Sequence, residues 1–181
     1  IIGQMMEKVR LPEFTPRRTE DEIRAECPWA TLGRKGGRKP NIITSLELES
    51  SIMEHNNERF QAKYKLIEEN EVRFEEIQTE DADYILVAFG SSARICQKVE
   101  QARAEGLRVG LLRPITLWPF PKAAIQKHCS HAKGFLVAEL NAGQMVEDVR
   151  LAVNGQIPVE HYGRMGGMLF SPSEILENLK K

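Results

Sequence analysis

The chain has 181 residues, a formal net charge of -1, 28% charged residues and 41% hydrophobic residues. This length suits one domain with an additional segment, and the balanced charge gives no electrostatic reason to bind nucleic acid. The longest apolar runs, such as Tyr84 to Phe89, are much shorter than the ~18 residues that span a bilayer. Cys27, Cys96 and Cys129 are too few and too scattered for a disulfide framework or a cluster-ligand set. These features predict a soluble, cytoplasmic protein that binds neither nucleic acid nor membrane.

Residues 1–45 are predicted to be the end of a preceding domain and an irregular connector. The start, Ile1 to Met6, is apolar and has no Met at position 1, so we expect a further N-terminal portion before it. Four prolines between Val9 and Asn41 disfavour regular structure. The basic, glycine-rich run Gly33–Lys39 is interpreted as a solvated linker, with phosphate binding as the alternative.

A long amphipathic helix is predicted within residues 46–80, from Leu46 to about Glu76. This stretch has no Pro or Gly, and its apolar residues recur at mostly helical spacings. The polar patch His55-Asn56-Asn57 is interpreted as part of the surface rather than as a ligand set.

Residues 81–181 alternate short apolar runs with helical segments, and this pattern predicts the fold class. Strands are predicted near Tyr84–Phe89, Leu107–Leu112, Gly134–Leu140 and Pro158–His161, with helices between them and a last helix over Ser173–Leu179. Strands that alternate with helices of this length favour βαβ crossovers. The predicted fold is α/β, three-layered and doubly wound, with a mainly parallel sheet and helices on both faces.

Candidate site or interface residues occur in the loops after the predicted strands. Gly90, Ser91 and Ser92 form a turn at a helix N-terminus, where capping by a serine is favoured and anion binding is the alternative. Arg113 and Trp118 lie in a stiff, proline-rich loop. A packing or subunit contact is favoured there, because large aromatic side chains bury area and only Arg113 is titratable.

Glu139, Asn141 and Gln144 are predicted to converge at the end of the third strand. Glu139 could act as a general base, but it has no partner carboxylate at a suitable spacing. Capping of the next helix by Asn141 is the structural alternative, and it is favoured.

A glycine-rich loop after the fourth strand contains the last candidates, Gly163, Arg164, Gly166 and Gly167. Glycines let the backbone approach a partner closely while the guanidinium of Arg164 reaches an anion or a neighbouring chain. A flexible turn is the alternative. The sequence contains no CxxC pair, P-loop or nucleophile elbow, so no catalytic residue or metal ligand is predicted.

Four stretches of the second half resemble a known family. They are VAFGSSAR (Val87–Arg94), LLRPITLWPFP (Leu111–Pro121), VAELNAGQM (Val137–Met145) and YGRMGG (Tyr162–Gly167). In this order and spacing they resemble the transketolase C-terminal-like domain in the alpha subunit of 2-oxoacid:ferredoxin oxidoreductases. The 2-oxoisovalerate, branched-chain type is the most similar. The start of the chain, with GQMMEKV, resembles the end of the preceding domain in the same subunits.

The resemblance implies a complex that converts a 2-oxoacid and coenzyme A to acyl-CoA and carbon dioxide. It implies thiamine diphosphate, magnesium and iron–sulfur clusters, held by a preceding domain, a thiamine-binding beta chain and a ferredoxin-like chain, with ferredoxin as electron acceptor. We therefore expect this fragment to bind no cofactor, to be inactive alone, and to serve subunit assembly and active-site framing. The alternatives are a stand-alone nucleotide- or coenzyme A-binding module, and a transketolase or 2-oxoacid dehydrogenase beta-chain domain.

Overall fold

The computed structural model describes residue 13 and residues 17–30, 39–97 and 99–180. These residues form two compact units, which divide between Arg59 and Phe60. The start of the chain, Ile1–Met6, lies outside the described residues, as does all of the basic run Gly33–Lys39 except Lys39. The interpretations of both stretches stay predictions, as does the division into segments 1–45, 46–80 and 81–181.

A short helix, α1 (Glu20–Glu26), lies in the segment that was predicted to be irregular. It begins with a capping box, in which the Thr19 hydroxyl accepts a hydrogen bond from Glu22 N at 3.3 Å and the Glu22 carboxylate accepts one from Thr19 N at 2.7 Å. None of its residues is buried. The capping signal, rather than an apolar stripe, therefore accounts for this helix.

The predicted long helix is shorter than expected and is followed by a strand. Helix α2 runs over Ser50–Asn70 and has no buried residue. Residues Phe74–Ile77 form strand β1 instead of its last turn. The prediction of helix to Glu76 was wrong because Ile67 and Phe74 keep a helical spacing across the true end of the helix, and pairing with a neighbouring strand decides the structure of the last four residues.

The second unit is built around a sheet of five strands, which are β1, β2 (Tyr84–Val87), β3 (Val109–Pro114), β4 (Gly134–Glu139) and β5 (Val159–Gly163). Their order in the sheet is β1-β3-β2-β4-β5. Strands β2 to β5 are parallel, and β1 pairs antiparallel with β3 at one edge. A mainly parallel sheet is thus confirmed. The helices that follow β2 are α3 (Gly90–Cys96) and α4 (Val99–Ala104); α5 (Lys122–His128) follows β3, α6 (Met145–Val153) follows β4 and α7 (Pro172–Leu179) follows β5.

Helices cover both faces of the sheet, which confirms the three-layer fold. Successive residues of β2 point to opposite faces, so Val87 belongs to one buried cluster and Leu86 to the other. The Val87 cluster contains residues of α5 and α6, such as Ile125 and Val149. The Leu86 cluster contains residues of α3, α4 and α7, such as Ile175. Burial on both faces explains the nearly continuous apolar runs of β2, β3 and β4.

Polar contacts attach the edge strand β1 to the rest of this unit. Arg113 Nη1 of β3 donates to Glu75 Oε2 at 2.8 Å, between residues that are paired in the sheet register. The fully buried His128, the last residue of α5, contacts Glu76 Oε1 through Nε2 at 2.5 Å. In the described part of the chain, no helix combines the length and apolar character of a bilayer span.

Candidate functional site at the carboxyl edge of the sheet

The loops that follow the four parallel strands meet at one edge of the sheet. The chain passes from β2 to β3 on one side and then to β4 on the other side of β2. Doubly wound domains bind ligands where the strand order reverses in this way, which here is between the ends of β2 and β4. All of the predicted candidate residues lie in β3, β4 and β5 near their carboxyl ends or in the loops and helix starts that follow the parallel strands.

Glu139, the last residue of β4, has a fully buried carboxylate beside the start of α6. Its Oε1 accepts hydrogen bonds from Met145 N at 2.9 Å and from Asn141 Nδ2 at 3.2 Å, and its Oε2 accepts one from Val146 N at 3.0 Å. The N–H of Gln144 lies 3.3 and 3.2 Å from the two oxygens. The carboxylate thus satisfies N–H groups that have no acceptor within the helix, and its charge is stabilised by the helix dipole.

This arrangement corrects the prediction that Asn141 caps the helix. Asn141 Oδ1 accepts a hydrogen bond from Gly143 N at 2.7 Å, within the loop. Gln144 is the N-cap residue, but its side chain makes no capping hydrogen bond. Glu139 supplies the cap from several residues upstream, because the loop folds back over the end of β4. Because both oxygens of the Glu139 carboxylate already accept hydrogen bonds from N–H groups, a structural role is favoured over that of a general base.

Gly163, the last residue of β5, lies directly against the loop that follows β4. A Cβ atom at this position would overlap the carbonyl oxygen of Asn141 and lie 2.7 Å from His161 Cε1. Only a glycine therefore permits this approach. The partner in this contact is the protein's own loop, which the sequence alone did not show.

His161 was not predicted as part of the site. Its Nε2 lies 3.7 Å from Glu139 Oε2, and this buried nitrogen has no hydrogen-bond partner among the described residues. His161 lies two residues before Gly163 in β5, so the two residues lie on the same face of that strand. The sequence could not show that β5 lies next to β4.

Arg164, which was predicted to reach an anion or a neighbouring chain, also contacts its own domain. Its Nη2 lies 3.4 Å from Glu174 Oε1 in α7, and its backbone N donates to Glu139 O at 3.2 Å. Tyr162 Oη donates to the same Glu174 oxygen at 3.1 Å. Gly166 and Gly167 follow with φ values of 66° and 85°, which only glycine adopts readily. A contact of Arg164 with another chain stays a prediction.

The turn after β2 also differs in detail from the prediction. Helix α3 begins at Gly90, its N-cap is Phe89, and no side chain caps it. Ser91 and Ser92 lie inside its first turn, and Ser92 is buried. The predicted capping by a serine was therefore wrong.

The proline-rich loop after β3 forms one wall of a groove that is separate from the Glu139 region. Its cavity volume is about 470 Å³. Trp118 is 54% exposed, and its ring packs edge-to-face against Tyr64 with 5.6 Å between ring centroids. We call this feature the Trp118 groove; its lining includes Glu68, Val72, Phe74, Leu117, Trp118 and Asp148.

The cysteine positions do not fit an iron–sulfur cluster. Cys96 belongs to the buried cluster on one face of the sheet, whereas Cys129 packs against the cluster on the other face. Burial raises the pKa of the Cys96 thiol to about 12, so it resists forming the thiolate that ligates iron. Within residues 17–30, 39–97 and 99–180 no group of three or more His, Cys, Asp or Glu side chains could hold a metal ion.

The comparison with protein families accounts for this combination of fold and loops. Residues 82–175 match the family described as pyruvate:ferredoxin oxidoreductase core domain II. The chain belongs to this family. The matched residues include the parallel strands β2 to β5 but not β1, and they include the four loops at the carboxyl edge of the sheet.

Individual relatives are consistent with the family. The chain is 42% identical over 182 residues to ketoisovalerate oxidoreductase subunit VorB of Methanothermobacter thermautotrophicus, an alignment that covers 100% of this chain and 50% of that protein. It is 35% identical over 102 residues to 2-oxoglutarate synthase subunit KorA of Methanothermobacter marburgensis, which covers 56% of this chain and 27% of KorA. The chain therefore spans half the length of VorB.

Solved structures share the fold. A 2-oxoglutarate:ferredoxin oxidoreductase from Magnetococcus marinus superposes with a TM-score of 0.64 at 23% identity, covering 83% of this chain and 28% of that chain. A split-gene transketolase superposes with a TM-score of 0.50 at 16% identity, covering 60% of this chain and 40% of that chain. The predicted transketolase-like fold is thereby confirmed.

Proposed function

We propose that this chain is part of the alpha subunit of a thiamine-diphosphate-dependent 2-oxoacid:ferredoxin oxidoreductase that acts on a branched-chain 2-oxoacid. The observation that supports the substrate class is the 42% identity to VorB, a ketoisovalerate oxidoreductase subunit, along the whole chain. The complex would convert 2-oxoisovalerate and coenzyme A to acyl-CoA and carbon dioxide and pass two electrons to ferredoxin. Its partners would be a thiamine-binding beta chain and a ferredoxin-like chain.

The chain's own contribution would be assembly and framing rather than chemistry. The buried carboxylate of Glu139 is engaged by the start of α6, and Arg113 is paired with Glu75. Cys96 and Cys129 lie on opposite faces of the sheet. These contacts support a domain that leaves thiamine diphosphate, magnesium and clusters to other parts of the complex.

The Trp118 groove is the surface we assign to a subunit contact. Trp118, Leu117 and Phe74 are 54%, 45% and 39% exposed, although each is large and apolar. Exposed aromatic side chains in a preformed groove are typical of the residues that dominate protein–protein binding energy. The carboxylates of Glu68 and Asp148 at the lining would favour a partner with basic residues.

A stand-alone coenzyme A- or nucleotide-binding module is not favoured, because the similarity to VorB runs along the whole chain. Calorimetry separates the two hypotheses. Titration of the purified chain with coenzyme A and with thiamine diphosphate should give no binding heat. Saturable binding of coenzyme A by the chain alone would favour the module.

Reconstitution tests the activity directly. The chain, within its full-length subunit, is produced together with the thiamine-binding and ferredoxin-like chains, and reduction of a viologen dye is followed with 2-oxoisovalerate, 2-oxoglutarate and pyruvate. We expect coenzyme A-dependent reduction that is fastest with 2-oxoisovalerate, and no reduction by the purified chain alone. A preference for 2-oxoglutarate would contradict the branched-chain assignment but not the family.

A further inference from the structure

The start of α6 is the position at which a doubly wound domain offers its N–H groups and helix dipole to an anionic ligand. In this chain the carboxylate of Glu139 already occupies that position. It is fully buried, and the N–H groups of Met145 and Val146 donate to it at 2.9 and 3.0 Å. Among the described residues, every hydrogen bond to it comes from an N–H donor.

We propose that Glu139 is a positioning residue that acts as a permanent internal anion. It fills the anion position of α6 and thereby fixes the loop between β4 and α6, which lies next to β5. An external phosphate or carboxylate is excluded from this helix start as long as Glu139 is present. This inference concerns the domain itself and holds whether or not the proposed substrate class is correct.

The contacts around the carboxylate explain why the loop depends on it. Asn141 is linked to Glu139 through Nδ2 and to Gly143 through Oδ1, so the loop backbone is set from the carboxylate outward. On the other side, Gly163 lets the Asn141 carbonyl approach β5, and Arg164 N donates to the Glu139 carbonyl. One side chain therefore connects β4, the loop and the start of α6 at the edge where β5 also ends.

A carboxylate is required because its hydrogen-bond partners among the described residues are N–H donors. Replacement by Gln puts an NH₂ group where one of the two oxygens lies, so either Met145 N–H or Val146 N–H faces another donor. The shape of the side chain is retained but one backbone donor is left unsatisfied. Glu139→Gln is therefore not a conservative change at this position.

The test measures the melting temperatures of three variants of the chain, Glu139→Ala, Glu139→Gln and Glu174→Ala, with and without formate as a small external anion. Glu139→Ala removes the carboxylate and leaves a cavity, so its melting temperature falls, and sodium formate should restore it in a saturable way. Sodium chloride at equal ionic strength should not. Glu139→Gln should melt lower than the native chain and show no rescue, because its side chain fills the cavity.

Glu174→Ala is the matched control. Glu174 also accepts a backbone hydrogen bond at a helix start, from Ser171 N at 2.6 Å, but it is partly exposed, so water replaces it. Formate should not change its melting temperature beyond the effect on the native chain. Equal effects of formate and chloride on Glu139→Ala, or equal formate effects on all three variants, would overturn the proposal.

Hydrogen exchange in the native chain covers the case in which Glu139→Ala does not fold. The amides of Met145 and Val146 should exchange as slowly as those inside α6, although the first N–H groups of a helix ordinarily lack acceptors. Ala123, at the start of α5, provides the comparison because that helix has no side-chain cap. Exchange of Met145 and Val146 at the rate of Ala123 would overturn the proposal.

Discussion

Removing the Glu76 carboxylate should loosen the edge strand β1 and lower the stability of the second unit. His128 is fully buried and its Nε2 contacts Glu76 Oε1 at 2.5 Å, while its Nδ1 has no hydrogen-bond partner among the described residues. Glu76→Ala leaves the ring with no partner at either nitrogen. An unsatisfied buried donor costs about 1–3 kcal/mol. For a chain of this size that corresponds to a fall in Tm of roughly 2–12 °C.

Urea unfolding of three variants tests this reasoning. Glu76→Gln keeps an oxygen that can accept the His128 N–H, so we expect it to retain most of the stability lost in Glu76→Ala. Glu80→Ala is the control, because Glu76 and Glu80 both pair with Lys127, at 3.6 and 2.8 Å, but Glu80 lies on the surface. Its unfolding free energy should change by no more than about 0.5 kcal/mol. Equal losses in Glu76→Ala and Glu80→Ala would refute the role of the buried His128 contact.

Three further predictions concern single side chains. Cys96 should resist iodoacetamide at pH 8 in the folded chain and react after unfolding in guanidinium, because burial raises its pKa to about 12. Hydrogen bonding to Arg103 lowers the pKa of Asp81, so the Asp81 carboxylate stabilises the fold at neutral pH and loses this contribution as the pH falls below about 4. In Asp81→Asn, the free energy of unfolding in urea should therefore fall less steeply over that pH range. Arg164→Ala should change the unfolding free energy of the chain by at most about 1 kcal/mol, since the ion pair of Arg164 is partly exposed. If Arg164 contacts another chain, the same change should weaken binding in the full complex by roughly 2 kcal/mol or more. Equal losses in the two measurements would show that Arg164 is a structural residue.

The parallel strands β2, β3 and β4 could be predicted from the sequence because they are buried on both faces. Each gives a nearly continuous apolar run, as in Tyr84–Val87, and glycines and prolines mark the ends of several elements. The edge strand β1 could not be separated from the preceding helix in this way. Phe74 and Ile77 fit a helical stripe, and the pairing of β1 with β3 depends on residues about forty positions away.

The loops of the candidate site could be located, but their hydrogen bonds could not. Each loop was predicted from a strand end followed by Gly, Ser, Asn or Pro. The cap of α6 comes from Glu139, outside the four-residue window in which capping patterns are read. His128 and Glu76 are separated by 52 positions, so no local pattern indicates their contact. The hydrogen bonds of the site therefore depend on contacts between elements that are distant in the sequence, which local sequence patterns do not indicate.

Purification of the full-length subunit with an affinity tag tests the central claim most directly. We predict that it co-elutes with partner chains at fixed stoichiometry and that the eluted complex contains thiamine diphosphate and iron in cluster form. Trp118→Ala should lower the yield of this complex without reducing the Tm of the tagged subunit by more than a few degrees, since Trp118 is half exposed. A tagged subunit that elutes alone, free of thiamine diphosphate and iron, and that binds coenzyme A by itself would contradict the account.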